Sequence, residues 1–291
     1  MRLTTIVIAL GAFGEGEKMQ EFAKQIEEEY RVLFCPLTGT EDELETELCD
    51  FFHSAGCSKS AALLLGKSRR LLLHARELNI ATLACKMDDV EDFQGFPLVC
   101  EEVWDVDNRF LLRAYQREWD LPWDILETER LFVREETEED LDNIYPMYDQ
   151  PHIAKYLERP YDNRKDEVEY MQKYRKYVYG YYQYGLWHVI DKATGMPAGR
   201  AGLNPKTYAD GKSGAELGYM IAEPFTHKGY CMEVCTAIME YARKELYLTE
   251  LFCLIKPENK ISQHVAERLG FTFDREIEAE GKKMFRFYRE I

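Results

Sequence analysis

The sequence contains no apolar run near the eighteen or so residues needed to span a bilayer. It also contains no CxxC pair and no Cys/His grouping at zinc-finger spacing, which excludes the common structural zinc modules. Basic residues are outnumbered, 37 Lys and Arg against 53 Asp and Glu, for a net charge of −16. Clustered positive charge over phosphates is what holds proteins on nucleic acid, so that class of partner is not expected. The eight cysteines are scattered and mostly flanked by apolar residues, as in "VLFCP" and "TLACK", and they read as reduced core thiols. The one apolar stretch near the N-terminus, "LTTIVIALGAF", has neither a basic lead nor a small-residue cleavage site, so it reads as a buried strand and not as a signal peptide. The expected setting is the cytoplasm, with no membrane, no nucleic acid and no metal.

What is present is an ordinary globular composition, 46% apolar and 31% charged over 291 residues, a length that suits two domains. The first part alternates strand-like and helix-like segments: "TTIVIAL", "EKMQEFAKQIEEEY", "RVLFC", "TEDELETELCDFFHSA". The unit "AALLLG", "KSRRLLLHARELN", "IATLAC" is the clearest, a strand, a helix and a strand that imply a parallel βαβ crossover. Residues 1–125 are therefore expected to form a three-layer, Rossmann-like α/β domain. The stretch "LLLGKSRRLLLHARELNIATLAC" resembles the later part of haloacid-dehalogenase-like phosphatases. That resemblance implies a nucleophilic aspartate in a DxD motif after the first strand, but the strand here ends "ALGAFGEG". Lys67 stands at the family's later acidic position, and Asp105 and Asp107 come too late in the chain. The expectation is a degenerate, non-catalytic module of that type.

From residue 126 the rhythm changes to runs of strands with separate helices, an α+β pattern. "RLFVRE" alternates like a strand, and "TEEDLDNIYPMY" opens a helix at Thr137 with a capping pattern. "LWHVIDKATGMPAGRAGL" reads as a hairpin, "GAELGYMIAEPF" as a strand closed by Pro224, and "LTELFCLIKPEN" and "KMFRFYREI" as further strands. Between them, "EPFTHKGYCMEVCTAIMEYARKEL" joins a Pro/Gly loop to an amphipathic helix. Such a loop leaves the first helical amides without partners, facing outward beside the positive helix end. "KISQHVAERL", ended by Gly270, is a second helix.

The order of "LGYMIAEPFTHKGYCMEV" and "NKISQHVAERLGF" strongly resembles the GNAT superfamily of acetyl-CoA-dependent N-acyltransferases. The nearer likeness is to the branch acting on ribosomal-protein N-termini, whose opening strand and helix "TERLFVREETEEDL" also resembles. The resemblance covers roughly residues 127–291, and it implies a GNAT fold for residues 126–291, with acetyl-CoA as cosubstrate and no metal. It also implies a primary amine as acceptor, either a small molecule or a peptide N-terminus, transfer by direct attack, and a homodimer among the assemblies to test.

In the family the loop and helix start hold the coenzyme A diphosphate on backbone amides, which here makes His227, Lys228, Gly229, Tyr230 and Cys231 the matching residues. Thr226 replaces the family's long polar residue in that loop. Met220, Ile221 and Ala222 match the strand end whose amides line the cofactor and the oxyanion. Glu216 matches the acidic residue on the fourth family strand, and its small and apolar neighbours in "GAELGYM" would raise its pKa as a general base. Ser262 matches the position near the thioester sulfur, with Asn259 capping that helix and lining the pantetheine. The family's tyrosine acid is replaced by Ala266, which leaves protonation of the thiolate to Ser262 or water, or else leaves an acyl-CoA-binding sensor with lapsed chemistry. On the acceptor side, Tyr170, Tyr174 and Trp187 are the expected substrate contacts, from a segment rich in tyrosine that suits a cationic amine.

Overall fold

The computed structural model describes residues 2–9, 16–37, 43–86, 91–207, 213–279 and 281–291. The chain divides into two compact units, Met1–Leu121 and Pro122–Ile291.

The first unit is built on strands β1 (Thr5–Ala9), β2 (Arg31–Cys35), β3 (Ala62–Gly66), β4 (Ala81–Cys85) and β5 (Val99–Cys100). They pair in the order β2-β1-β3-β4-β5, all parallel. Every residue of β1, β3 and β4 is buried, as a sheet covered on both faces requires. Helices α1 (Glu17–Ile26), α2 (Leu44–Ser54), α3 (Arg69–Glu77) and α4 (Asn108–Glu118) supply the covering stripes. In α1 these are Met19, Phe22, Ala23 and Ile26; in α3, Leu71, Leu72 and Ala75. Ser68 caps α3 by accepting from the Leu71 amide, and Lys67 stands between that cap and β3. Asp107 caps α4, its Oδ1 accepting from the Phe110 amide at 2.7 Å, so the late "DVD" terminates a loop and starts a helix. The expected glycine turn after β1, where the phosphatase nucleophile would stand, falls at residues 10–15, outside the described residues.

The second unit carries β6 (Asp124–Glu127), β7 (Leu131–Arg134), β8 (Leu186–Asp191), β9 (Pro197–Thr207), β10 (Ser213–Ile221), β11 (Glu250–Ile255), β12 (Thr272–Ala279) and β13 (Lys282–Glu290). They form one sheet, β12-β13-β11-β10-β9-β8-β7-β6. Its pairs are antiparallel except β10 with β11. A 3-10 turn capped by Thr137 and Asp140 leads into α5 (Leu141–Tyr148), and α6 (Pro151–Ala154) and α7 (Arg164–Tyr174) come next. The chain leaves α7 through a π-turn, Arg175–Tyr179. α8 (Tyr230–Lys244) and α9 (Lys260–Arg268) complete the unit.

Cross-strand partners share a face of the sheet, so the ladder assigns the two faces. Trp187 pairs with Ala201 and Ala201 with Tyr219, and Trp187 meets Tyr241 of α8 edge-on at 5.7 Å. These residues mark the helix face. Leu186, Gly202 and Gly218 pair across the same three strands and mark the opposite face, as do Arg200 with Met220 and Asn204 with Glu216. Strands β5, β6 and β12 were not expected from the sequence.

Candidate active site

The loop before α8 has the backbone of an anion cradle. His227 and Gly229 both take left-handed conformations, φ 59° and 82°, which costs little only at the glycine. No side chain caps α8, and its first i→i−4 bond runs from the Glu233 amide to the Gly229 carbonyl, 3.0 Å. Among the described residues the amides of His227, Lys228 and Gly229 have no protein acceptor, and those of Tyr230 and Cys231 precede that first bond. Arg130 braces the loop: its Nη1 donates to the Lys228 carbonyl at 2.9 Å, and its guanidinium lies 4.3 Å over the Tyr230 ring. Glu233 fixes Arg130 in turn. Burial would raise that carboxyl, but bonds from the Thr128 hydroxyl and from the Arg130 amide and guanidinium bring it below its ordinary value.

Two polar side chains of this stretch are spent within the protein. The Lys228 ammonium donates to the Pro224 carbonyl at 2.7 Å, within its own loop. The Tyr230 hydroxyl donates to Asp191 at 2.7 Å, so only its amide remains to offer.

Beyond the loop, β10 and β11 come apart. β10 pairs with β9 along its whole length to Ile221, yet its described pairs with β11 are Ala215–Leu251 and Glu216–Phe252. Both strands continue, β10 for five residues and β11 for three, without joining. A gap between parallel strands therefore opens just past Glu216. The Ala222 amide donates to the Ala198 carbonyl on the β9 side at 2.9 Å, which fixes the phase of the strand. By alternation the Met220 amide faces β9, and the Tyr219 and Ile221 amides face the gap. This corrects the expectation for Met220 and Ala222 as amide donors to a cofactor: the ladder consumes both. The Ile221 carbonyl accepts from His152 Nε2 at 3.1 Å.

Across the gap on the helix face lies the start of α9. Asn259 caps that helix, its Oδ1 accepting from the Ser262 amide at 3.1 Å. Ser262 is half-buried, its hydroxyl without a partner among the described residues, and its carbonyl accepts from the Tyr219 hydroxyl at 3.1 Å. Burial against Cys253, Cys231 and Cys235 pushes the Tyr219 hydroxyl well above its ordinary pKa, so it stays protonated. Ala266, at the position of the family's tyrosine, is fully buried. Tyr219, which the sequence did not single out, thus brings a phenol to the same side of the gap. All eight cysteines are free thiols, and burial raises those of Cys235 and Cys253.

On the opposite face, Glu216 is half-buried beside its cross-strand partner Asn204. Asn204 also lines a cavity of about 450 Å3, together with Tyr170, Tyr174 and Arg200. Tyr174 joins the two regions: its hydroxyl donates to Asn204 Oδ1 at 3.3 Å and accepts from the Leu186 amide at 2.9 Å. Trp187, expected with these tyrosines, is fully buried on the helix face and cannot touch a ligand in that cavity. Tyr170, Tyr174 and Tyr177 follow one another at four- and three-residue steps, but they do not form one helical face. The π-turn shifts the phase, leaving Tyr177 exposed and turning Tyr179 inward.

Residues 130–272 match the family profile of the GNAT acetyltransferase domain. The chain is 28% identical over 155 residues to the uncharacterised protein YkkB of Bacillus subtilis, a match spanning 52% of this chain and 87% of that one. It is 26% identical over 148 residues to the uncharacterised N-acetyltransferase p20 of Bacillus licheniformis, spanning 50% and 81%. Among solved structures, a ribosomal-protein-S5-alanine acetyltransferase from Vibrio fischeri superposes with a TM-score of 0.48 at 16% identity, covering 57% of this chain and 95% of that one. The C-terminal half of the protein is a GNAT acetyltransferase domain, and the chain that carries it is an acetyltransferase.

Proposed function

We propose that the second unit moves an acetyl group from acetyl-CoA to a primary amine, by direct attack within a ternary complex. The observation that carries this reading is the parting of β10 from β11 immediately after Glu216, beside a loop of unpartnered amides. The residues fit the cosubstrate. The amides of residues 227–231 and the α8 dipole suit a diphosphate, and the open β10 edge suits a pantetheine arm, whose amides can add to it as a strand would. Bound there, acetyl-CoA supplies the activated acyl group.

The protein's own part derives from the two faces. Glu216 removes the proton from the amine on the cavity face, directly or through one water, a contribution typically worth about 10²–10⁴-fold in rate. The Ile221 amide faces the gap where the carbonyl oxygen gains charge, and one such donor is typically worth about 3 kcal/mol. Ser262 and Tyr219 hold hydroxyl groups on the helix face, where the thiolate departs and needs a proton. The setting we infer is the cytoplasm, consistent with eight free thiols; among the described residues no helix is long and apolar enough to cross a membrane.

For the first unit we infer a degenerate haloacid-dehalogenase-like module without phosphatase chemistry. Lys67 at the family's acidic position and Asp107 spent on a helix cap support it. The full-length protein should then show no magnesium-dependent hydrolysis of an aryl phosphate.

Steady-state release of coenzyme A against a panel of peptides, polyamines and aminoglycosides tests the transferase reading. Turnover with at least one amine, cut at least 10²-fold by Glu216→Gln, is expected. Tight acetyl-CoA binding with no turnover across the panel would instead favour an acyl-CoA sensor.

A further inference from the structure

The cavity beside Asn204 carries a charge pattern that the transferase reading does not use. Three carboxylates and two guanidinium groups line it: Glu136, Glu158, Glu167, Arg159 and Arg200. Glu136 and Arg200 close a bidentate pair, and Arg200 gives a further bond to the Tyr148 hydroxyl at 2.7 Å. Glu158 pairs with Lys282, and the exposed Arg159 lies 3.3 Å from Asp149. Glu167 is left. It is 6% exposed, its Oε2 accepts from the Tyr161 amide at 3.0 Å, and no cation meets it among the described residues. A buried carboxylate without a counter-charge is costly, and an incoming cation would relieve that cost.

The tyrosines give the cavity direction. The rings of Tyr161 and Tyr170 are 6.0 Å apart, and those of Tyr170 and Tyr174 are 5.9 Å apart. The row starts at Tyr161, whose amide Glu167 holds, and ends at Tyr174, whose hydroxyl bonds Asn204 next to Glu216. Glu167 and Tyr174 are seven residues apart on α7, or roughly 10 Å along its axis.

We propose that this cavity is the acceptor site and that it selects linear amines with a second positive charge, the distal ammonium resting on Glu167 among tyrosine faces while the near nitrogen reaches Glu216. The assignment rests on the transferase reading and deepens it. Aromatic faces and a carboxylate are the usual pair for holding an ammonium. An acceptor carrying a carboxylate would face Glu167, and it would find the Arg200 fork already taken by Glu136 and Tyr148.

Glu167 also anchors the Tyr161 loop, so the test uses Glu167→Gln, which keeps an acceptor oxygen for the Tyr161 amide and removes the charge. The acceptors are the linear eight-carbon α,ω-diamine and n-octylamine, which differ only in the distal ammonium. For the diamine, Glu167→Gln should raise KM by about 10- to 100-fold with kcat within about twofold, the range of one charged hydrogen bond. The KM of n-octylamine should not move. Calorimetric titration of the diamine into the coenzyme A complex gives the same answer without turnover: binding in the wild type, and a matching loss in the variant. Equal wild-type KM values for the two amines, equal shifts for both in Glu167→Gln, or a clear preference for peptides with neutral side chains would overturn the proposal. A wild type that binds the diamine yet releases no coenzyme A with it or with any amine of the panel would leave this pocket standing and defeat the transferase reading.

Discussion

Gly218 stands on the cavity face, one step along from Glu216 and within the stretch of β10 that β11 has left. A Cβ placed there would lie 3.4 Å from Asn204 Nδ2 and 3.6 Å from Leu186 Cδ2, ordinary contact distances. Gly218→Ala should therefore fold well, and could gain about 0.4–1 kcal/mol from the lost freedom of the unfolded chain. Gly218→Val is different. Its γ-methyls must either press on Asn204 or stand over the floor between Glu216 and the gap, and a β-branched side chain has few rotamers with which to avoid both. Displacing the amine by about 1 Å from the acyl carbon is enough for a loss on the order of 10²-fold. We expect kcat/KM for the amine to fall less than about fivefold in Gly218→Ala and about 10²-fold in Gly218→Val. The diphosphate cradle lies elsewhere, so acetyl-CoA affinity measured by calorimetry should change little in either variant. A Gly218→Val enzyme with wild-type kcat/KM would refute the placement of amine and acyl group on this face.

The same geometry fixes three further outcomes. Glu216→Gln should abolish the acidic limb of the pH–rate profile while acetyl-CoA still binds, and an unchanged profile would remove Glu216 as the base. Tyr219→Phe deletes the hydroxyl that bonds the Ser262 carbonyl, which should cost about 1 kcal/mol in urea melts and lower kcat through the helix face; unchanged kinetics would make that phenol purely structural. Asp140 is buried, which alone would raise its pKa, but Arg134, His188 and the Thr137 amide hold it below the ordinary carboxylate value. A lowered folded pKa stabilises above the unfolded value near 3.9 and is lost as pH falls through the folded one. Asp140→Asn should thus cost about 3 kcal/mol at neutral pH and flatten the acid limb of a thermal-melt series, and an unaltered limb would contradict the assignment.

The elements most legible in the sequence are those with one buried side or two. The wholly buried β1, β3 and β4, apolar but for Thr5 and Thr82, and the three-to-four spacing in α1 and α8 announce themselves. β12 does not: in "TFDREIEA" Arg275 interrupts the alternation of Phe273, Ile277 and Ala279, and most of the strand is exposed, so the apolar row is too thin to stand out. β6, an edge strand of four residues, is hidden beside Pro122 and Trp123. The loop at residues 226–231 and Glu216 were readable as motif positions. The face of Trp187 was not: "LWHVID" is apolar on both sides, and only the register with Ala201 and Tyr219 decides which side meets α8. The π-turn after α7 likewise moves Tyr177 out and Tyr179 in, a phase change that a uniform helical spacing cannot carry. The parting of β10 from β11 is a relation between distant segments, and it appears only once they are paired.

The most direct measurement is calorimetric titration of acetyl-CoA into the wild type, Glu216→Gln and Gly229→Val. Valine at position 229 must adopt φ near 82°, a region costing L-residues about 1–2 kcal/mol, or else turn the loop amides away. The account predicts equal affinities for the wild type and Glu216→Gln, and binding at least about tenfold weaker for Gly229→Val. Wild-type affinity in Gly229→Val would contradict it.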